Sequence, residues 1–153
     1  MKHLAAIFAV ACMAAANPAL ASSFSPSGAA VTATGTTSLT APNFPKLTCN
    51  ATFKGTVNAD GTATITSATF TGGALGACAL VKLATPFTLT ATSTTTVVAT
   101  GIQVTTPVSC GPDTLNATWT NGSPSHFNIP TGSINPGGCT ATAALTVSGV
   151  TII

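Results

Sequence analysis

The amino-acid sequence predicts a single all-β domain, an antiparallel β-sandwich with two disulfides that follows an N-terminal signal peptide. Three observations support this prediction. Apolar residues alternate with polar or small ones through Leu47–Val57, which is the period of a half-buried strand. Turn-forming residues recur roughly every 8–12 positions, a spacing typical of sandwiches and small barrels. No stretch of useful length after residue 21 shows the helical period.

Residues 1–21 are predicted to be a secretory signal peptide. Lys2 gives a basic start, residues 4–16 form an apolar run, and Ala19–Ala21 fits a small-residue cleavage site. The run is too short to cross a membrane, and no later stretch approaches ~18 uninterrupted apolar residues. Cys12 would be lost with this peptide. We therefore expect a secreted, extracellular bacterial protein without a transmembrane segment, with the periplasm as the alternative compartment.

Residues 22–30 are predicted to form a flexible leader, because they are rich in Ser, Pro and Gly, and residues 31–153 the all-β domain. The first strand, Val31–Leu39, contains Gly35 and is expected to bend or bulge there. Prolines at 42 and 45 end it before the central hairpin begins. Further strands are expected around residues 80–91, which Pro86 interrupts, and within the β-branched stretch 92–104.

The central hairpin starts at Leu47 and turns at Asp60-Gly61. We predict a three-residue loop, 59–61, because an odd loop length keeps Val57 and Ile65 on the same face of the sheet. After Ile65 the apolar positions change parity, which predicts a bulge near Thr66-Ser67.

Four cysteines remain after cleavage, and in an exported chain an even number predicts two disulfides. Cys78 follows Cys49 by 29 positions, and Cys139 follows Cys110 by the same distance. Three pairings are open, and the equal spacing favours Cys49–Cys78 with Cys110–Cys139. Zinc binding is the weaker interpretation, because the sequence has no C-x-x-C pair. The spacing also suggests a weak internal repeat of residues 47–80 and 108–141, in which Phe53 and Trp119 both follow Asn-Ala-Thr and should both point inward.

Charge is scarce, at 4% of all residues. The mature chain keeps only Lys46, Lys54, Lys82, Asp60 and Asp113, whereas an ordinary domain is about one quarter charged. This composition excludes a basic surface for nucleic acid. It also leaves few residues for catalysis. His126 is the only histidine of the mature chain, and we interpret it as a solvated loop residue. We interpret both aspartates as turn residues. We therefore expect no enzymatic activity, no catalytic or metal site and no cofactor.

Threonine takes the place of charge, often in Thr-x-Thr patterns. Thr is simply a good solvent-face strand residue, and this is the plain structural interpretation. The functional alternative is contact with an apolar phase, because a surface of hydroxyls and methyls loses little hydration energy there. Thr62, Thr64 and Thr66 are the candidate interface, since they share parity on one strand, opposite to Ile65. Ice binding by ranks of threonines is a weaker alternative, because the clusters are irregularly spaced.

The stretch Val31–Thr40, the hairpin from Cys49 through Val57 to Gly73, and Cys110-Gly-Pro112 resemble the bacterial alkane-oxidation activator (Pra) family. The resemblance implies a small exported factor that promotes growth on hydrocarbons by wetting or emulsifying them at the oil–water or cell-surface interface, without established catalytic residues. A second hypothesis is a structural extracellular subunit, such as a matrix, pilus-like or adhesin protein, that self-associates through Thr-rich strand edges.

Overall fold

A computed structural model describes residues 21–153 of the chain. The predicted signal peptide, apart from Ala21, lies outside the described residues. The described part contains eleven strands and one short 3-10 helix. In chain order they are β1 (Phe24–Ser25), β2 (Ala30–Thr40), β3 (Leu47–Val57), β4 (Ala63–Thr71), the 3-10 helix (Ala74–Leu80), β5 (Lys82–Leu83), β6 (Phe87–Ala91), β7 (Thr96–Thr105), β8 (Ser109–Thr120), β9 (Ser125–Ile134), β10 (Cys139–Ser148) and β11 (Thr151–Ile152).

One antiparallel sheet makes up most of the molecule, in the order β5-β7-β6-β4-β3-β2-β10-β9-β8. An additional pairing of β7 with β8 joins the sheet to itself, so that eight of its strands form a closed, barrel-like wall. The predicted all-β antiparallel fold with two disulfides is confirmed. Opposite walls of one closed sheet pack across the interior, where a sandwich would have two separate sheets.

The closed sheet has two ends, which we name by their contents. The leader end carries the loops at 58–62, 92–95, 121–124 and 149–150, together with β1 and β11. The cystine end carries the loops at 41–46, 72–81, 106–108 and 135–138, together with both disulfides.

The segment predicted to be a flexible leader is instead packed against the leader end. Its strand β1 pairs with β11, and the Phe24 amide donates a hydrogen bond to the Gly61 carbonyl at 2.8 Å. The Phe24 ring is 3% exposed and meets Trp119 edge to face, with 5.4 Å between the ring centroids. The flexible-leader prediction was wrong, because one aromatic residue in a Ser/Pro/Gly-rich segment buries enough surface to hold it.

The central hairpin has the predicted geometry. Asn58 donates its amide hydrogen to the Thr62 carbonyl at 2.8 Å, which leaves residues 59–61 as a three-residue loop. Val57 and Ile65 are both buried on the inner face. The ladder with β3 shifts between Lys54 and Gly55, where Thr66 is the unpaired extra residue of β4. The predicted bulge is therefore confirmed at this position.

The disulfides join Cys49 to Cys78 and Cys110 to Cys139, as the equal spacing favoured, with Cα–Cα distances of 5.7 and 6.0 Å. Each links the first strand of a hairpin to the segment after its second strand. The predicted internal repeat stays a prediction, because this shared placement does not extend to the aromatic residues. On β3, Phe53 follows Cys49 by only two turns of the alternation, whereas on β8 Trp119 stands at the opposite end of the strand from Cys110.

Side chains that alternate inward along every long strand form the apolar interior. Phe53 and Trp119 are both buried, as predicted, at 8% and 3% exposure. Gly55 serves close packing of the backbone, because a Cβ there would collide with the Thr64 carbonyl oxygen of β4.

Candidate functional site

The outer surface of the closed sheet carries threonines in continuous cross-strand rows. The pairing register places five of them side by side across β3, β4, β6, β7 and β8, and we call this the five-threonine row: Thr56, Thr64, Thr88, Thr100 and Thr114. A second row of four crosses β10, β2, β3 and β4: Thr146, Thr34, Thr52 and Thr69. Neighbouring strands lie about 4.8 Å apart, so the five-threonine row extends over roughly 19 Å.

Of the three predicted interface residues, the structure brings Thr62 and Thr64 together. The Asn58 side-chain amide donates to both hydroxyls, at 2.8 and 2.9 Å, and the Thr62 hydroxyl donates to Asp60 Oδ1 at 2.7 Å. These two hydroxyls therefore hold the hairpin loop in shape. Thr66 is exposed at the bulge, and its hydroxyl donates to the Lys54 carbonyl at 3.4 Å. Thr64 is the one of the three that belongs to the five-threonine row.

Few charged side chains lie near these rows, although Asp113 directly precedes Thr114 on β8. Of the described charged residues, Lys46 and Asp60 lie in loops and Lys82 lies in the short strand β5. Lys54 is the charged residue that faces outward within the main hairpin, where it sits opposite Thr32 and Ser67. The five-threonine row itself contains hydroxyl and methyl groups alone.

The two aspartates stabilise loops at opposite ends of the sheet. Hydrogen bonds from the Thr62 hydroxyl and backbone amide lower the pKa of Asp60 below its ordinary value of 3.8. Hydrogen bonds from the backbone amides of Asn135 and Thr114 likewise lower the pKa of Asp113. Asp60 occupies a turn, as predicted, whereas Asp113 lies within β8 and braces the loop at 135–138.

His126 was predicted to lie in a loop, and this was wrong. It stands on β9, exposed on the outer face opposite Thr146 and Thr120. The period of β9 continues through it, because buried Ser125 and Phe127 flank it. Its outward direction separates it from the interior, and the topology places Asp113 at the other end of the molecule. The arrangement brings no nucleophile, base and carboxylate together within the described residues.

The interior contains a cavity of about 120 Å³. Side chains from both ends of the sheet line it, among them Trp119 and Val150 near the leader end and Leu83 and Val104 near the cystine end. The lining is apolar apart from Thr37, Ser38 and Thr142, and none of the described residues around it is charged. Apolar cavities of about this size in proteins generally stay dry and can accept apolar molecules.

The strand ladder around the cavity is interrupted on one side of β4. This strand pairs with β6 only at Ala63, Thr64 and Ile65, so residues 66–71 have no strand partner on that side. Strand β5, on the far side of this gap, pairs with the end of β7 instead. Phe70 and Leu83, from the two strands that flank the gap, line the cavity and remain partly exposed. They therefore stand between the cavity and solvent.

The cystine end displays two leucines to solvent. Leu75 and Leu80 belong to the 3-10 helix segment, are 107% and 60% exposed, and flank the buried Cys78. The disulfide to Cys49 fixes this segment against β3, so the leucines project from a tethered loop. They therefore place exposed apolar surface at the cystine end, whereas the sides of the sheet expose threonine hydroxyls.

Within residues 21–153 no group of three His, Cys, Asp or Glu side chains is placed to hold a metal ion. The same residues contain no helix whose length and apolar character would let it cross a membrane.

Sequence reasoning found the threonine patterns but missed the rows, the cavity and the gap beside β4. The Thr-x-Thr signal shows which residues share a face of one strand, whereas a row depends on the register between strands far apart in the chain. The change of parity at Thr66 was the one sequence signal near the gap.

A family model described as alkane oxidation protein activator PraA/PraB-like matches residues 1–153, the whole chain. Comparison with curated proteins and with solved structures returned no match.

Proposed function

Because this chain belongs to the alkane oxidation protein activator PraA/PraB-like family, we propose that it is a secreted, non-enzymatic factor that promotes alkane utilisation at the oil–water or cell-surface interface. The observation that carries the proposal is the five-threonine row, five neighbouring outward side chains that present hydroxyls and methyls and no charge of their own. Two disulfides support an oxidising compartment, outside the cell or in the periplasm.

Contact with oil requires the protein surface to give up water. Removing a charged group from water costs far more than removing a hydroxyl, and a threonine methyl gains from the same transfer. Threonine hydroxyls can also bond to neighbouring backbone carbonyls, as Thr146 does to Thr34 at 3.2 Å. A surface that carries these rows therefore stays hydrated in water and gives up little hydration energy when it adsorbs to oil.

The test adds charge to the row without disturbing the fold. Thr56, Thr100 and Thr114 are exposed, and their hydroxyls make none of the hydrogen bonds found among the described residues, so the triple variant Thr56→Lys, Thr100→Lys and Thr114→Lys should melt near the parent temperature. We expect it to adsorb poorly to hexadecane droplets and to lose support of growth on alkane.

A matched control adds the same charge elsewhere. Ala59→Lys, Thr94→Lys and Ser123→Lys lie in exposed loops at the leader end, away from the strand faces. This variant should adsorb like the parent protein. If both variants lose adsorption equally, net charge alone is responsible and the row has no special role. If neither loses it, the row is an ordinary wet surface.

A structural subunit that self-associates is the second candidate, and one observation favours it. Residues 66–71 of β4 form an open strand edge that could pair with another copy, whereas β2, β3 and β10 are paired on both sides. Size-exclusion chromatography at increasing concentration distinguishes the candidates. Monomers that lower the interfacial tension of hexadecane support the first, and polymers without this activity support the second.

A further inference from the structure

We propose that the interior cavity is a binding site for a short, uncharged alkyl chain, which enters through the gap beside β4 between Phe70 and Leu83. The choice of a hydrocarbon as ligand class rests on the proposed function, whereas the site itself rests on the cavity.

The chemistry of the lining selects an uncharged, apolar ligand. No charged side chain lines the cavity, and every buried side-chain nitrogen or oxygen of the described residues already has a hydrogen-bond partner. A carboxylate, phosphate or ammonium group would therefore lose its hydration without gaining a partner. An alkyl chain has no such hydration energy to lose, and it gains dispersion contacts with the surrounding carbon atoms.

The size of the cavity limits the chain. Its volume of about 120 Å³ is close to the ~150 Å³ of an apolar protein cavity that stays dry and binds benzene. The ligand that fits without rearrangement is therefore a short alkane or a short segment of a longer chain. A long alkane would leave part of its length outside the wall.

We infer the route of entry by comparing how the interior is closed at the leader end and beside β4. At the leader end Phe24, Val150 and Ile152 are buried and close the interior. Beside β4 the wall lacks a strand ladder over residues 66–71, and Phe70 is partly exposed there. Its ring packs edge to face on Phe53, with 5.8 Å between the centroids, so it can swing aside without breaking a ladder on its open side.

Trp119 provides the measurement, because it is the single tryptophan of the chain and lines the cavity. Titration with 1-bromohexane should quench its fluorescence to saturation, since a bound bromine would approach the ring. Iodide in water should quench weakly, because the side chain is only 3% exposed. Quenching that rises linearly without saturation would overturn the proposal.

A pair of neighbouring alanines gives a matched test. Ala143 faces inward and lines the cavity, whereas Ala144 is exposed on the outer face of the same strand. Ala143→Leu should weaken bromohexane binding roughly tenfold or more, and Ala144→Leu should leave it unchanged. If Ala143→Leu fails to fold, Ala33→Val fills the same cavity with a smaller addition. Saturable binding that survives cavity filling would place the ligand elsewhere and overturn the proposal.

Adsorption to hexadecane droplets, measured on the same samples, separates this proposal from the proposed function. Saturable quenching in a protein that does not adsorb supports the cavity site and contradicts only the interfacial function. Adsorption without saturable quenching contradicts the cavity site and leaves the interfacial function standing.

Discussion

Truncation of Trp119 to alanine should destabilise the protein by about 3–5 kcal/mol, the usual cost of removing a buried tryptophan. The side chain is 3% exposed, its ring meets Phe24 edge to face, and its indole Nε1 donates to Asn121 Oδ1 at 2.7 Å. Removing it also takes away the ring against which Phe24 of the leader segment packs. The expected loss is therefore a large fraction of the ~5–15 kcal/mol that a domain of this size usually has.

Two further variants separate ring packing from hydrogen bonding. Trp119→Phe keeps an aromatic ring but loses the indole donor, and should cost about 1–2 kcal/mol. Asn121→Ala removes the amide that donates to the Ile152 carbonyl at 2.7 Å and accepts from the Ile152 amide at 2.8 Å, and also leaves the buried indole donor unpaired. It should cost about 1–3 kcal/mol. The two effects should be less than additive in the double variant, because they share one hydrogen bond.

Urea denaturation followed by far-ultraviolet circular dichroism measures these losses without depending on tryptophan fluorescence. A free energy of unfolding for Trp119→Ala within about 1 kcal/mol of the parent would refute the reasoning. It would mean that Trp119 does not anchor the leader end and that the leader is held some other way.

Two more predictions concern the backbone and the aspartates. Gly55→Ala should destabilise by about 1–3 kcal/mol in the same urea assay, because its Cβ would collide with the Thr64 carbonyl oxygen; an unchanged midpoint would show that the two strands can separate at no cost. The melting temperature should fall as the pH drops below about 3.8, because Asp60 and Asp113 have lowered pKa values in the folded protein. Their stabilisation is present above the unfolded value and is lost as the pH falls through the folded one. Replacing both with asparagine should flatten this acid limb, and an unaltered limb would contradict the role assigned to their hydrogen bonds.

The two proposals assign different contacts with hydrocarbon to the exterior and to the interior of the closed sheet. The threonine rows concern adsorption of the whole molecule to a bulk surface, and the cavity concerns one chain at a time. The experiments keep the two apart, because lysines on the row leave the lining unchanged and leucine at Ala143 leaves the row unchanged. A protein with both properties would collect at oil and also carry single chains away from it.

Local features of the sequence were enough to predict much of the fold. Strand alternation, the three-residue loop and the bulge near Thr66 follow from side-chain parity, which depends only on neighbours in the chain. The disulfide pairing followed from equal spacing. The inward direction of Phe53 and Trp119 followed from their place in alternating strands.

Long-range pairing decided the rest. Whether the sheet closes depends on β7 meeting β8 while β2 meets β10, and no single strand carries that information. The packed leader depends on Phe24 meeting Trp119, two residues far apart in the chain. The five-threonine row depends on the relative register of five strands, and the cavity on the fit of side chains across the interior. Along the long strands, the sequence by itself determined which residues face the core and which face water. Only the tertiary structure decided which of them become neighbours, because register and closure arise from contacts between distant strands.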